Sequence, residues 1–152
     1  MSRRPSLFEP SRSIGKFSLS DEHRVLFPGL TPAGVRSARY YVTPLGRVYR
    51  DDGRLLRPHE RTLKVKLNGG RVYRSVPAAV FAAFGNVNRS KPYIAWVPED
   101  APIDELTGRR SCDIRELKLV KRGELIKLAR GTLEREQLKF YKAFNPARIK
   151  HG

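Results

Sequence analysis

The segment at residues 61 to 85 constrains the fold most, because its apolar spacing changes from every second residue to a helical repeat. Leu63, Val65 and Leu67 alternate with polar residues, which predicts a half-buried strand with a basic outer face. The Asn-Gly-Gly sequence that follows predicts a tight turn, and "RVYRS" predicts the returning strand. The segment therefore begins as an antiparallel hairpin.

A helix is predicted directly after this hairpin. Ser75 suits the N-cap position and Pro77 suits the first turn, while Gly85 provides a stop. Apolar residues at helical spacing predict a core-facing stripe made of Val80, Phe81 and Phe84. We interpret this stripe as core and not as a binding surface.

Two further patterns lie upstream of the hairpin. "RYYVTPLGRVYR" predicts a second hairpin, in which Tyr41 and Val48 share one core-facing side. "SDEHRVLF" predicts a short helix, because Ser20 suits the cap and two carboxylates follow it at the positive helix end. Residues 38 to 85 are therefore predicted to form a small antiparallel sheet followed by a helix.

The C-terminal half predicts one more strand at "PYIAWV" and an extended or turn-like segment at "CDIRELKLV". "KRGELIKLARG" predicts a helix that ends at Gly131, and a second helix is predicted to restart at Thr132. On the residues alone, the fold class is α+β: a small antiparallel sheet with a helix, then a further strand and C-terminal helices. The predicted organisation is a flexible basic arm at 1–19, a sheet-plus-helix segment at 20–85, a segment with one strand and C-terminal helices at 86–145 and a basic tail at 146–152.

Charge is the compositional feature that bears most on function. The chain has 31 Lys and Arg against 15 Asp and Glu, a formal net charge of +16. Residues 36 to 74 carry a surplus of eight positive charges and residues 111 to 152 a surplus of six, while residues 75 to 110 are neutral. Such a surface attracts polyanions and releases their counterions, which favours nucleic acid as the partner. The two basic blocks predict two contact surfaces or two parts of one surface.

Several classes of protein are excluded or disfavoured by composition. Cys112 is the only cysteine, so an internal disulfide and a cysteine-based zinc site are excluded. The three histidines, at 23, 59 and 151, are too scattered for an obvious metal-ligand set. No apolar run approaches the ~20 residues of a membrane helix, and the basic start lacks the apolar core of a secretory signal. We therefore expect a cytoplasmic protein, in a host cytoplasm if it is phage-encoded, with no membrane partner, no metal and no cofactor.

Four motifs in a fixed order carry a family resemblance over about residues 40 to 85. They are "YYVTPLGRVYR", "GRLLRP", "LKVKLNGGRVYRSV" and "VFAAFG". In this order the chain resembles phage-type HNH homing endonucleases, in which a modular DNA-binding segment precedes the nuclease core. The resemblance implies that residues 20–85 bind DNA and that residues 86–145 form a degenerate ββα-like (HNH-like) core with C-terminal helices. In "CDIRELKLV", Leu117 falls where the family has its Leu and Glu116 where it has the preceding Asn.

The resemblance fails at the positions that carry the family's chemistry. An HNH nuclease uses a His as general base and a His, Asp or Asn set to hold a divalent metal. By register, Trp96 stands at the base position, and Pro98 or Glu99 stands near the metal-binding Asp. Asn86 and Asn88 are not accompanied by a base. We therefore assign no catalytic residue and expect a binding protein on a nuclease-like scaffold.

Two single residues and one set of tyrosines each leave an alternative open. His59 lies near Asp51, Asp52 and Glu60, which suggests a metal site, but a loop with a turn at Asp51 satisfies the same pattern. Trp96 is interpreted as core or partly buried, with base stacking as the alternative. Tyrosines interleaved with arginines are compatible with nucleic acid, including single strands and RNA, and equally with ordinary strands; they are Tyr40, Tyr41, Tyr49 and Tyr73.

Three functions from different classes follow. Binding of duplex DNA without cleavage is favoured; the alternatives are an active metal-dependent endonuclease with displaced catalytic residues, and a non-enzymatic binder of an RNA, a ribosome or an acidic host protein. The residues predicted to contact nucleic acid are Arg47, Arg50, Arg57, Arg61, Lys64, Lys66, Arg71, Arg74, Lys121, Arg122 and Lys127.

Overall fold

The structure is a computed structural model that describes residues 19–30, 38–87 and 93–146. The predicted basic arm at 1–19 and basic tail at 146–152 lie outside these ranges except for one residue each. Within them the chain forms small antiparallel sheets and two α-helices, so the predicted α+β class is confirmed. Neither helix of the described ranges has the length and hydropathy to cross a membrane.

The first sheet has four antiparallel strands in the order β1-β2-β3-β4. The strands are β1 (Val25–Leu26), β2 (Tyr40–Val42), β3 (Val48–Arg50) and β4 (Leu55–Leu56). The hairpin of β2 and β3 is confirmed, but the prediction that Tyr41 and Val48 share one side of it is wrong. Residues 43 to 47 connect Val42 to Val48, which lie opposite each other, so Tyr41 lies opposite Tyr49. Tyr41 and Val48 therefore project to opposite sides, and it is Tyr40 and Val42 that join Val48 in the core cluster.

The predicted helix at "SDEHRVLF" is wrong. Residues 19 to 23 form turns, and Val25 pairs with Val42 in β1. The carboxylate of Asp21 accepts hydrogen bonds from Thr43, Arg47 and Tyr49 of the first sheet. A side chain that suited a helix end therefore makes long-range contacts instead, and these tie the turn at residues 19 to 23 to the first sheet.

The predicted strand pair after the first sheet is confirmed as a separate two-stranded hairpin. It consists of β5 (Lys64–Leu67) and β6 (Val72–Ser75), joined by a 3₁₀ turn at Asn68–Gly70. Helix α1 (Val76–Phe84) follows at once, with the Ser75 hydroxyl accepting from the Ala78 amide at 3.2 Å. The single sheet predicted for residues 38 to 85 is thus two sheets.

The third sheet has the order β7-β8-β9, formed by β7 (Tyr93–Trp96), β8 (Lys118–Lys121) and β9 (Tyr141–Lys142). Helix α2 (Arg122–Ala129) begins where β8 ends, so β7, β8 and α2 follow one another as two antiparallel strands and a helix. The second helix predicted from Thr132 is wrong. Residues 135 to 137 form one 3₁₀ turn, and the chain then pairs with β8. Pairing at the sheet edge outweighs the favourable helix-end charges, because it also buries Ala143 and Phe144.

One hydrophobic core joins the two predicted central segments. The buried cluster includes Val42, Val48 and Val65 from the first segment and Ile114 and Leu119 from the second. The alternation predicted for β5 is confirmed, since its apolar side chains are buried and its lysines exposed. The segments 20–85 and 86–145 therefore share their core.

Two close contacts join the turn between β2 and β3 to distant parts of the chain. Gly46 has φ +83° and lies directly against the backbone of Cys112 and Asp113, while the Ile114 amide donates to the Pro44 carbonyl at 3.0 Å. Beside this contact, Arg47 reaches two carboxylates.

Arg47 lies in a largely buried network of charges. Its Nη1 is 2.7 Å from an Asp21 oxygen, and its Nε and Nη2 each lie 2.9 Å from the carboxylate of Asp104. The exposed fractions of the Arg47 and Asp104 side chains are 18% and 4%. Hydrogen bonding to Asp104, followed by the contacts with Asp21, raises the pKa of Arg47. The network ties the first turn, the first sheet and the loop at 104 together.

Candidate nucleic-acid interface

The hairpin of β5 and β6 presents two different faces. Directly opposed residues of antiparallel strands project to the same side, so Lys66 lies beside Tyr73, and Val65 beside Arg74. The Lys66 ammonium lies 5.9 Å from the centre of the Tyr73 ring, and both residues are exposed. The opposite face carries the buried residues of β5. The outward lysines therefore project away from the core on a rigid element.

This outward face forms one wall of a groove of about 760 Å³, which we call the cationic groove. The segment that follows β4 forms the other wall, and Arg109 reaches in from a distant loop. The groove is lined by Leu56, Arg57, Pro58, His59, Thr62, Lys64, Lys66, Tyr73 and Arg109. Four of these described side chains are cationic and none is acidic, which is the charge pattern that suits phosphates.

Hydrogen bonds to backbone groups hold the groove in shape. The Nε of Arg109 donates to the Pro58 carbonyl at 2.9 Å. The Nδ1 atom of His59 accepts from the amides of Arg61 at 3.1 Å and Thr62 at 3.3 Å. Because Nδ1 accepts, the proton of the neutral ring lies on Nε2, so the imidazole offers a donor to a ligand. The groove is thus preformed, which lowers the ordering cost of binding.

A second groove, of about 640 Å³, lies next to the first and shares Thr62 and Arg109 with it. We call it the mixed groove, because it contains both signs of charge. It is lined by Glu60, Arg61, Thr62, Leu63, Ser75, Pro77, Ala95, Trp96, Val97, Glu99, Ile103, Gly108, Arg109 and Arg110. Arg110 fixes its floor, with Nη1 donating to the Val97 carbonyl at 2.9 Å and Nη2 to the Arg61 carbonyl at 2.8 Å.

Trp96 connects the mixed groove to a third and smaller one, the aromatic groove, of about 380 Å³. The indole is half-buried and stacks in parallel on Phe140, with 5.3 Å between ring centres. Glu99 also lines both grooves, and its carboxylate lies 3.5 Å from Arg135 at the surface. The prediction that Trp96 is partly buried is confirmed, and the residue remains open to two grooves.

The structure brings together only part of the predicted set of contact residues. Arg57, Lys64 and Lys66 line the cationic groove, and Arg61 lines the mixed groove. Arg71 and Arg74 are exposed elsewhere on the hairpin, and Lys121, Arg122 and Lys127 are exposed on β8 and α2.

Two predicted contact residues are engaged by carboxylates. Arg47 is held by Asp21 and Asp104, and its donors are turned into the protein, so we leave it out of the interface. The Nε of Arg50 lies 4.0 Å from Asp51 and 3.8 Å from Asp52, in a half-exposed position outside the grooves.

Three of the four tyrosines that interleave with arginines in the sequence are buried or hydrogen-bonded within the protein. The Tyr40 hydroxyl accepts from the Asn68 amide at 3.0 Å, and Tyr41 is buried. The Tyr49 hydroxyl donates to Asp21 at 2.7 Å, and burial followed by this bond raises the pKa of Tyr49 to about 12. Tyr73 alone among the four is exposed, so it alone is placed to contact a ligand.

Arg109 and Arg110 line the grooves, and the sequence did not indicate either of them. They lie in a neutral stretch of the chain, where no charge surplus drew attention to them. The only local feature that marks their position is the turn at Gly108, which has φ +70°. After this turn, Arg109 donates to the Pro58 carbonyl and Arg110 to the Arg61 carbonyl. Their positions depend on contacts with residues about 50 positions earlier, which local patterns do not encode.

The side chains that could take part in catalysis or metal binding mostly form hydrogen bonds within the protein or are buried. Asn86 donates to and accepts from the backbone of Asn145 at 2.9 and 2.8 Å, and Asn88 lies outside the described residues. Burial raises the pKa of the Cys112 thiol to about 12, so it is protonated at neutral pH. No group of three or more His, Cys, Asp or Glu side chains in the described ranges could hold a metal ion. His59 supports a turn, as the simpler interpretation of its sequence predicts.

Comparisons with protein-family models, with curated proteins and with solved structures find no match for this chain. The resemblance to HNH homing endonucleases therefore stays a prediction from four sequence motifs.

Proposed function

We propose that this protein binds nucleic acid without cutting it, and that phosphates lie in the cationic groove. The observation that carries the proposal is the composition of that groove: Arg57, Lys64, Lys66 and Arg109 converge there, with no acidic side chain among the described residues that line it. Phosphate recognition uses this kind of cationic surface. The net charge of +16 supports the same partner, because it favours association with any polyanion.

The hairpin also has a shape that suits nucleic acid. Two-stranded ribbons enter nucleic-acid grooves in several families of binding proteins, with outward side chains supplying the contacts. Here the outward face carries Lys64, Lys66 and Tyr73, and α1 supports the inward face. Duplex DNA, which the sequence motifs favour, and an unpaired strand of the same sequence are the two probes to compare.

Neutralising the two groove lysines should weaken binding and flatten its salt dependence. We expect Lys64→Gln with Lys66→Gln to lower affinity for DNA by about 30-fold, because each lost phosphate contact is worth about 1 kcal/mol. The slope of log affinity against log salt should fall by about 1.8 on duplex DNA or about 1.4 on a single strand. Fluorescence anisotropy of labelled DNA at several salt concentrations measures both quantities.

The matched control is Arg71→Gln with Arg74→Gln. These two arginines lie on the same hairpin and are exposed, but they do not line the groove. Their substitution removes the same number of positive charges as the lysine substitutions. We expect a loss of affinity below about threefold, from the general field alone. Equal losses from the two double variants would show that total charge, and not the cationic groove, governs binding.

The alternative function is a working nuclease. The position of His59 makes this alternative testable, because its ring lines the groove in which we propose that phosphates lie. We expect no nicking of plasmid DNA with magnesium, manganese or zinc. The backbone amides at Nδ1 leave the proton of the neutral ring on Nε2, whereas a general base must accept a proton from water. Plasmid nicking by the wild type that is lost in His59→Ala would overturn the non-catalytic proposal.

A further inference from the structure

We infer that the protein takes an unpaired strand of nucleic acid, and that a base of this strand stacks on Trp96 in the mixed groove. The inference rests on the proposed function, since it places the phosphates of the same strand in the cationic groove. The first observation is that the two grooves are neighbours. Thr62 and Arg109 line both of them, so a ligand in one can continue into the other past a shared ridge.

The second observation is the chemical contrast between the grooves. Among the described residues, the acidic and basic side chains that line the cationic groove are all basic, whereas the mixed groove also has the exposed carboxylates of Glu60 and Glu99. Carboxylates repel phosphates, but they accept hydrogen bonds from the amino groups of bases, as with N4 of cytosine. The pair of grooves therefore matches the two sides of one strand, its phosphates and its bases.

The third observation is the position of Trp96. Its indole is half-buried, rests on Phe140 and borders the mixed groove beside Glu99. Aromatic side chains on which unpaired bases stack are the usual platforms for single strands. In a duplex, the faces of a base are covered by its neighbours and its amino group is paired. A duplex therefore cannot use Trp96 without opening, which is why we favour the unpaired strand.

The chain has one tryptophan, so its fluorescence reports on this site alone. The experiment titrates the protein with oligonucleotides of about 12 nucleotides, a length within known single-strand site sizes. The probes are oligo-deoxycytidine, oligo-deoxythymidine, a mixed-sequence DNA, an RNA of the same sequence and the corresponding DNA duplex. Anisotropy of labelled probes measures affinity in parallel.

We expect each unpaired probe to quench Trp96 emission with the midpoint found by anisotropy. Oligo-deoxycytidine should bind more tightly than oligo-deoxythymidine, because thymine has no amino group for Glu60 or Glu99. The duplex should bind more weakly and leave the emission unchanged. Comparison of the DNA and RNA probes separates the two sources of an unpaired strand.

Substitutions locate the stacking contact. We expect Trp96→Leu to lower affinity for unpaired probes by about tenfold and Trp96→Phe to restore most of it, since a phenyl ring still stacks. Thermal unfolding of both variants checks the fold, because Trp96 also packs on Phe140. Ile126→Ala is the control: it removes an exposed apolar side chain on α2 that lines none of the three grooves, and affinity should change little.

The outcomes separate the inference from the proposed function. Tight binding without quenching, unaffected by Trp96→Leu, would overturn the inference and leave the function in place. Equal or tighter binding of the duplex would do the same. Failure of every nucleic acid to bind, or binding of a poly-glutamate peptide in its place, would overturn both.

Discussion

Replacing Gly46 by Ala is expected to lower the free energy of unfolding by about 4 kcal/mol, a large part of the marginal stability of a domain of this size. A Cβ atom at this position would overlap the carbonyl carbon of Cys112 and come within 2.6 Å of the Asp113 nitrogen. The atoms it meets are backbone, so no side chain can rotate away. The backbone of Gly46 also has φ +83°, where a Cβ adds strain. Urea unfolding followed by circular dichroism measures the loss.

Gly53→Ala separates the overlap from the strain. Gly53 has φ +90°, but no atom lies within 4 Å of the position a Cβ would take. We therefore expect only the conformational cost, about 1–2 kcal/mol. Similar losses for the two alanine variants would show that the overlap with residues 112–113 adds nothing to the cost of the backbone conformation.

Arg47→Met is expected to cost about 3–5 kcal/mol, because it leaves buried carboxylates without their cation. Methionine keeps most of the volume of the stem but removes all three hydrogen bonds to Asp21 and Asp104. The Asp104 side chain is only 4% exposed, so its carboxylate would be left without its cation in a largely buried site. Chemical unfolding again measures the change, with nucleic-acid binding of the folded fraction as a second readout.

Arg50→Met is the matched control for this substitution. Arg50 lies at the end of β3, three residues after Arg47. Its ion pairs are longer, at 3.8 and 4.0 Å, and its side chain is 42% exposed. Exposed pairs of this kind contribute between zero and about 1 kcal/mol. If the two methionine variants lost equal stability, burial of the Arg47 network would have no energetic consequence.

Elements whose signals are local were predicted well from the sequence. The alternation from Leu63 to Leu67 and the tight turn after it form as expected, because burial of one face selects the register. Helix α1 begins at the predicted cap, Ser75, and ends before Gly85. In these segments, pattern, cap and turn all indicate the same structure.

Elements decided by distant partners were not predictable from local patterns. Asp21 has the position of a helix-capping carboxylate, yet its partners lie 22 to 28 residues away in the first sheet. The segment after Thr132 has the charges of a helix, yet the edge of β8 captures Tyr141 and Lys142 as a strand. A free sheet edge offers hydrogen bonds and burial together, and neither can be read from the segment itself.

The candidate site also combines residues that local patterns indicate with residues whose positions depend on distant partners. The outward lysines of β5 follow from strand periodicity, so Lys64 and Lys66 were found from the sequence. Arg47 was assigned to the same surface, because the sequence could not show that Asp104, 57 residues later, holds it. Arg109 was missed for the converse reason, since its partner Pro58 lies 51 residues earlier.

The contact of Gly46 with Cys112 also has a consequence for the order in which the chain folds. The β2–β3 hairpin is formed by residues that are close in sequence. The segment that packs on it is synthesised more than sixty residues later. At about 5–20 residues per second, translation leaves an interval on the order of several seconds between the two. During that interval Val42 and Val48 lack Ile114 as a packing partner. The nascent chain would therefore expose an unfinished apolar strand pair, a form that chaperones bind and that aggregates when it is left uncovered.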